Sequence, residues 1–403
     1  MESDESLTVS QQTIGGFSER LTPAKVHDLR RTEFPWTAQT IYMDNAATGP
    51  LPQRTMAVLH DLTGRRADLA KMRELDLFEL LDQTRSSVAR LVNGAADEIS
   101  LAVNTSFGVN IAAQALPLGR GDCVLLPDGE FPANVYPWLL LKKRGINIEL
   151  AQRTPEGWPD EDYLVRRVQD PDVRVLAISF VQFANGFKAD IARLSEACRA
   201  SDCYLVVDGI QAVGQVPFDV RATPVDIVAC GGQKWLLSPW GSGFVYVRRE
   251  LLREIEPSIV GWMAYRGTDD HTRITHYDEN LWDDGRRLEL NTLPFQDLIA
   301  MKESINLLLD IGITRVSDWL RDVREPIITA AAAGRLGLRS PTDGQHESGI
   351  VSVVTSDTEA SYGRLRSRGI MCSYREGGIR LAPHCYSTPE EMESVVEIIT
   401  RGQ

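Results

Sequence analysis

The sequence predicts an α/β fold: a parallel or mixed sheet covered by helices, followed by a smaller α+β tail. Three observations point there. Between about residues 85 and 250, helical and strand-like patterns alternate. The strand-like segments are continuous apolar runs such as "VRVLAISFVQ" and "CYLVVDG", and strands that apolar are buried on both faces. After about residue 255 the alternation gives way to long helical patterns with a few short strands. At 403 residues the chain exceeds what one core usually supports, so one large and one smaller domain are expected.

Each element has a local reason. "TRSSVARLVNG" spaces its apolar residues at helical intervals and reaches Gly94, a good C-cap. "ISLAVN" reads as a short strand and "TSFGVNIAAQAL" as a helix. "DCVLLPD" is a strand, and "ANVYPWLLLKKRG" reads as one helix ended by Gly145. "DIARLSEACRAS" is amphipathic, with Asp190 as its N-cap and Ile191, Leu194 and Cys198 along one face. "DIVACGG" is a further buried strand. In the tail, "QDLIAMKESINLLLDIG" and "ITRVSDWLRDVREPIITAAAAG" are helical, "GIVSVVTS" and "GGIRLAPH" are strands, and "TPEEMESVVEIIT" closes the chain as a helix capped by Thr388 with Pro389 in its first turn.

In sheets of this kind, ligands sit beyond the carboxyl ends of the strands. Three successive strand ends carry Ser179 to Gln182, then Asp208, then Lys234. The chain has only seven lysines, and Lys234 alone lies in a glycine-rich apolar setting, "CGGQKWLLSPWGSGFVYV". A lysine beside a turn is ordinarily a snorkelling surface residue. The other reading is a Schiff-base lysine, whose amine is made nucleophilic by desolvation and neighbouring cations. Asp208, which ends the wholly apolar run "YLVVD", tips the balance, because a carboxylate there is costly without a cationic partner. By itself Asp208 also reads as a helix N-cap; a protonated pyridine nitrogen is the partner expected if the cofactor is pyridoxal phosphate. Thr105 and Ser106, at a strand-to-helix turn, suit an anion on free N–H groups. G-x-x-x-x-G-K-[ST] is absent, and "GSGFVY" lacks the third glycine of a dinucleotide fingerprint.

The net charge of −13 argues against nucleic acid or an anionic membrane as partner. The start, "MESDESLTVSQQTIGG", has no basic or apolar signal-peptide region, and no run of about 18 apolar residues is long enough to span a membrane. The six cysteines show neither C-x-x-C spacing nor a disulfide framework, so reduced thiols in a cytoplasmic protein are expected, and no residue is assigned to a metal.

From about Tyr42 to the C-terminus the chain resembles the class V, fold-type I pyridoxal-phosphate enzymes: cysteine desulfurases, isopenicillin-N-epimerase-like proteins and C–S lyases. The resemblance rests on "YMDNAATGPLP", "NTSFGVN", "EFPANVYPW", "VVDGIQAVG", "GGQKWLLSPWGSGFVYV", "LELNT" and "IRLAPHCYSTPEE", in that order. It implies a large domain (36–285) with a mainly parallel seven-stranded sheet and a small α+β C-terminal domain (286–403), on which an N-terminal segment (1–35) packs. It implies pyridoxal 5'-phosphate as an imine on Lys234, which then moves the substrate α-proton, with Asp208 on the pyridine nitrogen. Phe131 takes the ring-stacking position, and Gln182 and Gln211 bond or flank the phenolic oxygen. Thr105, Ser106 and Gln233 take the phosphate, and Thr292 reaches the phosphate of a neighbouring subunit, which implies a homodimer with shared active sites. Arg380 clamps the substrate carboxylate, Asn45 and Ala46 line its pocket, and Tyr42, Tyr374 and Arg375 are candidates for side-chain contacts.

The departures bear on the reaction. Where desulfurases often carry a stacking histidine this chain has Phe131, which cannot trade protons, and where they carry a phosphate-binding serine it has Gly231. Where they place a mobile loop with a nucleophilic cysteine it has only "CSYREGGIRLAPH". Cys372, inside an apparent strand, and Cys385 read as packing residues, because a persulfide nucleophile needs an exposed, electropositive setting. The expected activity is therefore C–S cleavage by β-elimination on a cysteine S-conjugate or related amino acid. A class V aminotransferase, an epimerase, a decarboxylating or oxidatively deaminating variant, and a cysteine desulfurase remain alternatives. A silent scaffold subunit disagrees with intact Lys234 and Asp208.

Overall fold

The computed structural model describes residues 20–401 except 73 and 291, with backbone alone at 74 and 75. Seven strands form the larger sheet: β1 (Ile99–Leu101), β2 (Cys123–Pro127), β3 (Asn147–Ala151), β4 (Val173–Ser179), β5 (Tyr204–Asp208), β6 (Ile227–Gly231) and β7 (Gly243–Val247). Their order is β1-β7-β6-β5-β4-β2-β3, with β7 antiparallel to both neighbours and the remaining pairs parallel. Four short antiparallel strands form the second sheet, in the order β10-β11-β9-β8: β8 (Gly337–Leu338), β9 (Val351–Val354), β10 (Ser373–Arg375) and β11 (Gly378–Leu381). No helix among the described residues is long and apolar enough to cross a membrane.

The strands β2 and β4 to β7 are almost wholly buried, as apolar runs covered on both faces require. The helix Thr105–Ala115 lies so close to this sheet that a side-chain carbon on Gly108 would meet Ala229 at 2.7 Å and Val245 at 2.8 Å. Glycine is thus the residue that lets the helix start reach the end of β6. Asp190 caps Ile191–Ala200 through Arg193 N, and Thr388 with Glu391 makes a capping box on Pro389–Thr400.

Several local expectations are corrected. The "ANVYPWLLLKKRG" segment is three short pieces, Pro132–Asn134, Tyr136–Leu140 and Leu141–Arg144, the middle one a five-residue helix. Pro132 and Pro137 each remove a backbone donor, and Gly145 (φ 81°) ends the last piece. β3 has no counterpart in the sequence reading, because "NIELA" is a half-exposed edge strand without a long apolar run. The helix ending near Gly94 begins at Glu74, and its left-handed residue is Asn93 (φ 54°), while Gly94 N–H bonds Ala89 O. Between β5 and β6 (209–226) the chain turns back without a helix.

Residues 1–19 of the expected N-terminal segment lie outside the described residues. Beyond them, the helix Pro23–Glu33 buries Val26 and Leu29, and Arg30 bonds Tyr386 O and pairs with Glu391. The segment that follows makes two isolated bridges beside the second sheet, Tyr42 to Met371 and Asp44 to Ala382.

Candidate active site

The carboxyl ends of β4, β5 and β6 bring Ser179, Asp208 and Gly231 to one edge, since Ser179 pairs with Asp208 and Asp208 with Ala229 in register. Asp208 is 2% exposed, and its carboxylate accepts from Ile210 N at 3.0 Å. Burial pushes its carboxyl from the ordinary 3.8 up to about 7, and the nearby Glu130 charge adds to this, while Lys234 opposes it. Lys234 is half-buried, and its Nζ has no hydrogen-bond or ion-pair partner among the described residues. Burial lowers its ammonium from 10.5 to about 8; Asp208 opposes the shift, and Arg380 and Arg375 add to it. The same Nζ lies 5.5 Å from the centroid of the Phe131 ring, which is held edge-to-face by Phe183.

Around this pair the helix Thr105–Ala115 points its first turn at β6. Gly231 N donates to Thr105 Oγ1 at 2.9 Å, while Ser106 is exposed at the next position. A side-chain carbon on Gly231 would lie 2.5 Å from Gln233 Oε1 and 3.2 Å from Thr105 Oγ1, so Gln233 fills the space a serine there would need. Gln211 is held at both ends: its Nε2 donates to Ala46 O, and its Oε1 accepts from Trp235 Nε1. Its amide ties the stretch around Ala46 to the lysine loop, and Gly49 N on Gln233 O adds a second tie.

Arg380, on β11, is buried. Its Nη1 donates to Phe183 O at 2.9 Å, and its Nη2 lies 3.5 Å from both Asp44 Oδ1 and Ser373 Oγ. Its Nε is buried without a partner, as is Asn45 Oδ1. Asn45 Nδ2 is engaged by Ala382 O and the Tyr386 hydroxyl. Tyr42 donates to Thr48 O, and burial followed by the Asp44 charge pushes its phenol up to about 12. Tyr374 and Arg375 are exposed on β10, and the Arg375 guanidinium donates to the neighbouring Tyr374 O. Thr292 is exposed and shares no hydrogen bond with these groups.

β10 and β11 are joined by the two residues Glu376 (φ 47°) and Gly377 (φ 78°), with Arg375 opposite Gly378. Positive φ at both positions is the signature of the tightest hairpin turn, which leaves no room for a mobile loop. Cys372 and Cys385 are buried; burial pushes the first thiol up to about 12 and raises the second further.

The sequence reading did not single out four groups. Glu130 is a buried carboxylate that accepts from Ser179 N, Ser179 Oγ, Gln182 Nε2 and Asn134 Nδ2. Asp44 and Ser373 stand against Arg380, joined to each other by a 2.6 Å hydrogen bond. His384 accepts from Cys385 N at Nδ1, so its Nε2 carries the proton to Trp235 O at 3.0 Å. Burial lowers its pKa to about 4, so it stays neutral. The side-chain partners of Glu130 lie as far as 52 residues away, and no spacing rule connects them.

The family model described as Aminotransferase class-V matches residues 41–387. A probable cysteine desulfurase of Methanothermobacter thermautotrophicus is 26% identical over 401 residues, covering 93% of this chain and 97% of that one. The isopenicillin N epimerase of Streptomyces clavuligerus is 28% identical, covering 89% and 94%. Among solved structures, a cysteine desulfurase from Thermococcus onnurineus NA1 superposes with a TM-score of 0.83 at 20% identity, over 93% of this chain and 97% of that one. The cystine C–S lyase C-DES, in complex with its product cysteine persulfide, gives 0.82 at 20% identity, over 92% and 99%. At these identities the superpositions speak for the fold. The family model runs through the helix start, the strand ends and the hairpin that together build this site, and the chain belongs to the class-V aminotransferase family.

Proposed function

We propose that the protein is a pyridoxal-phosphate-dependent lyase that breaks a carbon–sulfur bond in a cysteine-derived amino acid by β-elimination, without handing sulfur to a protein thiol. The observation that carries this reading is the two-residue Glu376–Gly377 turn beside two buried, high-pKa cysteines. The name of C-DES, a cystine C–S lyase, supports it; the relatives named cysteine desulfurase support the alternative.

The residues fit the cofactor. Lys234 Nζ is unpartnered and lowered toward neutrality, Asp208 is a buried carboxylate without a hydrogen-bonded cation, and Arg380 Nε and Asn45 Oδ1 are buried polar atoms still lacking partners. Pyridoxal phosphate supplies an aldehyde that condenses with amines and a ring that accepts electrons from the substrate α-carbon. Asp208 would hold the proton of the ring nitrogen. Phe131 would cover one face of the ring, and Gln182 would meet its phenolic oxygen. Thr105, Ser106 and Gln233 would take the phosphate at the helix start. Thr292 would serve the phosphate of a second subunit in a homodimer, which leaves it no task within its own chain.

Lys234 would hold the cofactor by its aldehyde. Its amine, uncharged in a large fraction of molecules near pH 8, would serve as the base for the substrate α-proton. Arg380 would offer its unpartnered Nε to the substrate carboxylate, and Tyr42, Asn45 and Ala46 would form the wall beside it. The bond from β-carbon to sulfur breaks, and the sulfur group leaves with the electron pair. Tyr374 and Arg375, which are exposed, would meet the departing group.

The test is a panel of S-substituted cysteines and ordinary amino acids with products identified by mass spectrometry. Pyruvate, ammonia and the matching thiol support the reading; alanine with a protein-bound persulfide overturns it. Cys372→Ala and Cys385→Ala are expected to keep turnover near that of the parent, and loss of several orders of magnitude in either restores the desulfurase reading. Arg380→Lys is expected to weaken carboxylate binding by ~1.5–3 kcal/mol, the scale of a charged hydrogen bond. Unchanged KM for the amino acid would remove Arg380 from the carboxylate.

A further inference from the structure

Glu130 is only 7% exposed, yet among the described residues no cation forms an ion pair with its carboxyl. Burial pushes that carboxyl up, and the donors around it pull it back. Those donors occupy both oxygens. Oε1 receives Ser179 N at 2.8 Å and Gln182 Nε2 at 2.6 Å, and Oε2 receives Ser179 Oγ and Asn134 Nδ2, the latter at 3.1 Å. A carboxylate so surrounded only accepts, so the atom of the Gln182 side chain that faces it must be the nitrogen. Four donors on one buried anion are more than β4 needs to end, since a sheet strand requires no acid at its carboxyl end.

Glu130 also reaches the centre of the site, because its charge acts on Asp208, the residue beside Ser179 in the sheet register. Gln182 Nε2 carries two hydrogens, and Glu130 takes one. The other remains for an acceptor on a ligand, and Gln182, 4% exposed, has little solvent to give it to.

We propose that Glu130 is a positioning residue: by fixing the Gln182 amide with its nitrogen inward, it sets the donor that meets the cofactor's phenolic oxygen. This rests on the pyridoxal phosphate reading above. A donor to that oxygen withdraws charge from it and disfavours the proton it shares with the Lys234 nitrogen. Losing the donor therefore raises the pH midpoint of the visible absorbance of the bound cofactor. Losing a bare negative charge does the opposite, because a nearby anion stabilises the protonated form. The sign of the shift separates a residue acting through Gln182 from one acting by its field alone.

The experiment is a pH titration of absorbance on the holoenzyme for the wild type, Glu130→Gln, Glu130→Asp, Gln182→Ala and the Glu130→Gln/Gln182→Ala double variant. Borohydride fixation to Lys234 and phosphate content are measured alongside. Glu130→Gln and Gln182→Ala are expected to raise the midpoint by about 0.5–1 pH unit each, the equivalent of one hydrogen bond, and the double variant no further. Glu130→Asp, which keeps the charge but shortens the reach, shows the same direction and stands in if Glu130→Gln does not fold. A fall in midpoint, no shift, or full additivity in the double variant overturns the proposal. A wild type that takes up no cofactor on Lys234 overturns the reading beneath it, and is told apart because no visible band then exists to titrate.

Discussion

In the Lys234→Ala protein, turnover is expected to fall by ~10²–10⁴-fold, the contribution of one positioned proton-transfer group, and borohydride no longer attaches the cofactor to the chain. The expectation follows from the environment of one nitrogen. An ordinary lysine is almost wholly ammonium at neutral pH and can neither add to an aldehyde nor take a proton. Burial brings this one to about 8, and the guanidiniums of Arg380 and Arg375 assist. The rate at which the apoprotein takes up pyridoxal phosphate should therefore rise as pH climbs to 8 and level off above it. Peptide mapping after reduction checks the assignment, and label on any other lysine would sink it.

Asp208→Asn is expected to remove most activity and, in the apoprotein, to raise stability. The carboxyl titrates near 7 in the folded chain against 3.8 ordinarily, so the folded state binds its proton the more tightly. Stability from this group is therefore complete below about pH 4 and is lost as pH rises through 7. Asparagine does not titrate. Above pH 7 the variant apoprotein should melt higher than the parent, by up to ~4 kcal/mol at 1.36 kcal/mol per pKa unit, and the gap should close near pH 4. A pH-independent difference in thermal melts would contradict this account. The cost in the parent is what a cationic ring nitrogen would relieve, so the acid that burdens the empty fold is the one proposed to grip the cofactor.

The sheet was legible because its central strands announce themselves. "VRVLAIS", "YLVVD" and "IVACG" are buried on both faces, so their apolar runs survive without alternation, and the polar residues that end them had to meet at one edge. That route singled out Lys234 and Asp208, whose charges act on each other in the fold. β3 escaped because one edge of it faces solvent, and the Tyr136–Leu140 helix was overdrawn because apolar content outweighed Pro137. Glu130 and Asp44 escaped for a different reason. Each is an acid outside any helix or long strand, indistinguishable along the chain from a solvated one, and each gains its meaning from donors that only folding brings near. Gln211 stood out along the chain, but the use of both ends of its amide did not.

The bridges between Tyr42 and Met371 and between Asp44 and Ala382 have a consequence for how the molecule is made. Contacts between residues more than three hundred positions apart close slowly, because the loop entropy is lost before the pairing is gained. On the ribosome, the stretch around Tyr42 and Asp44 emerges early and waits, without its bridge partners, until nearly the whole polypeptide has been synthesised. Nascent chains halted before β11 should thus be protease-sensitive at their leading end, however well their central sheet has formed.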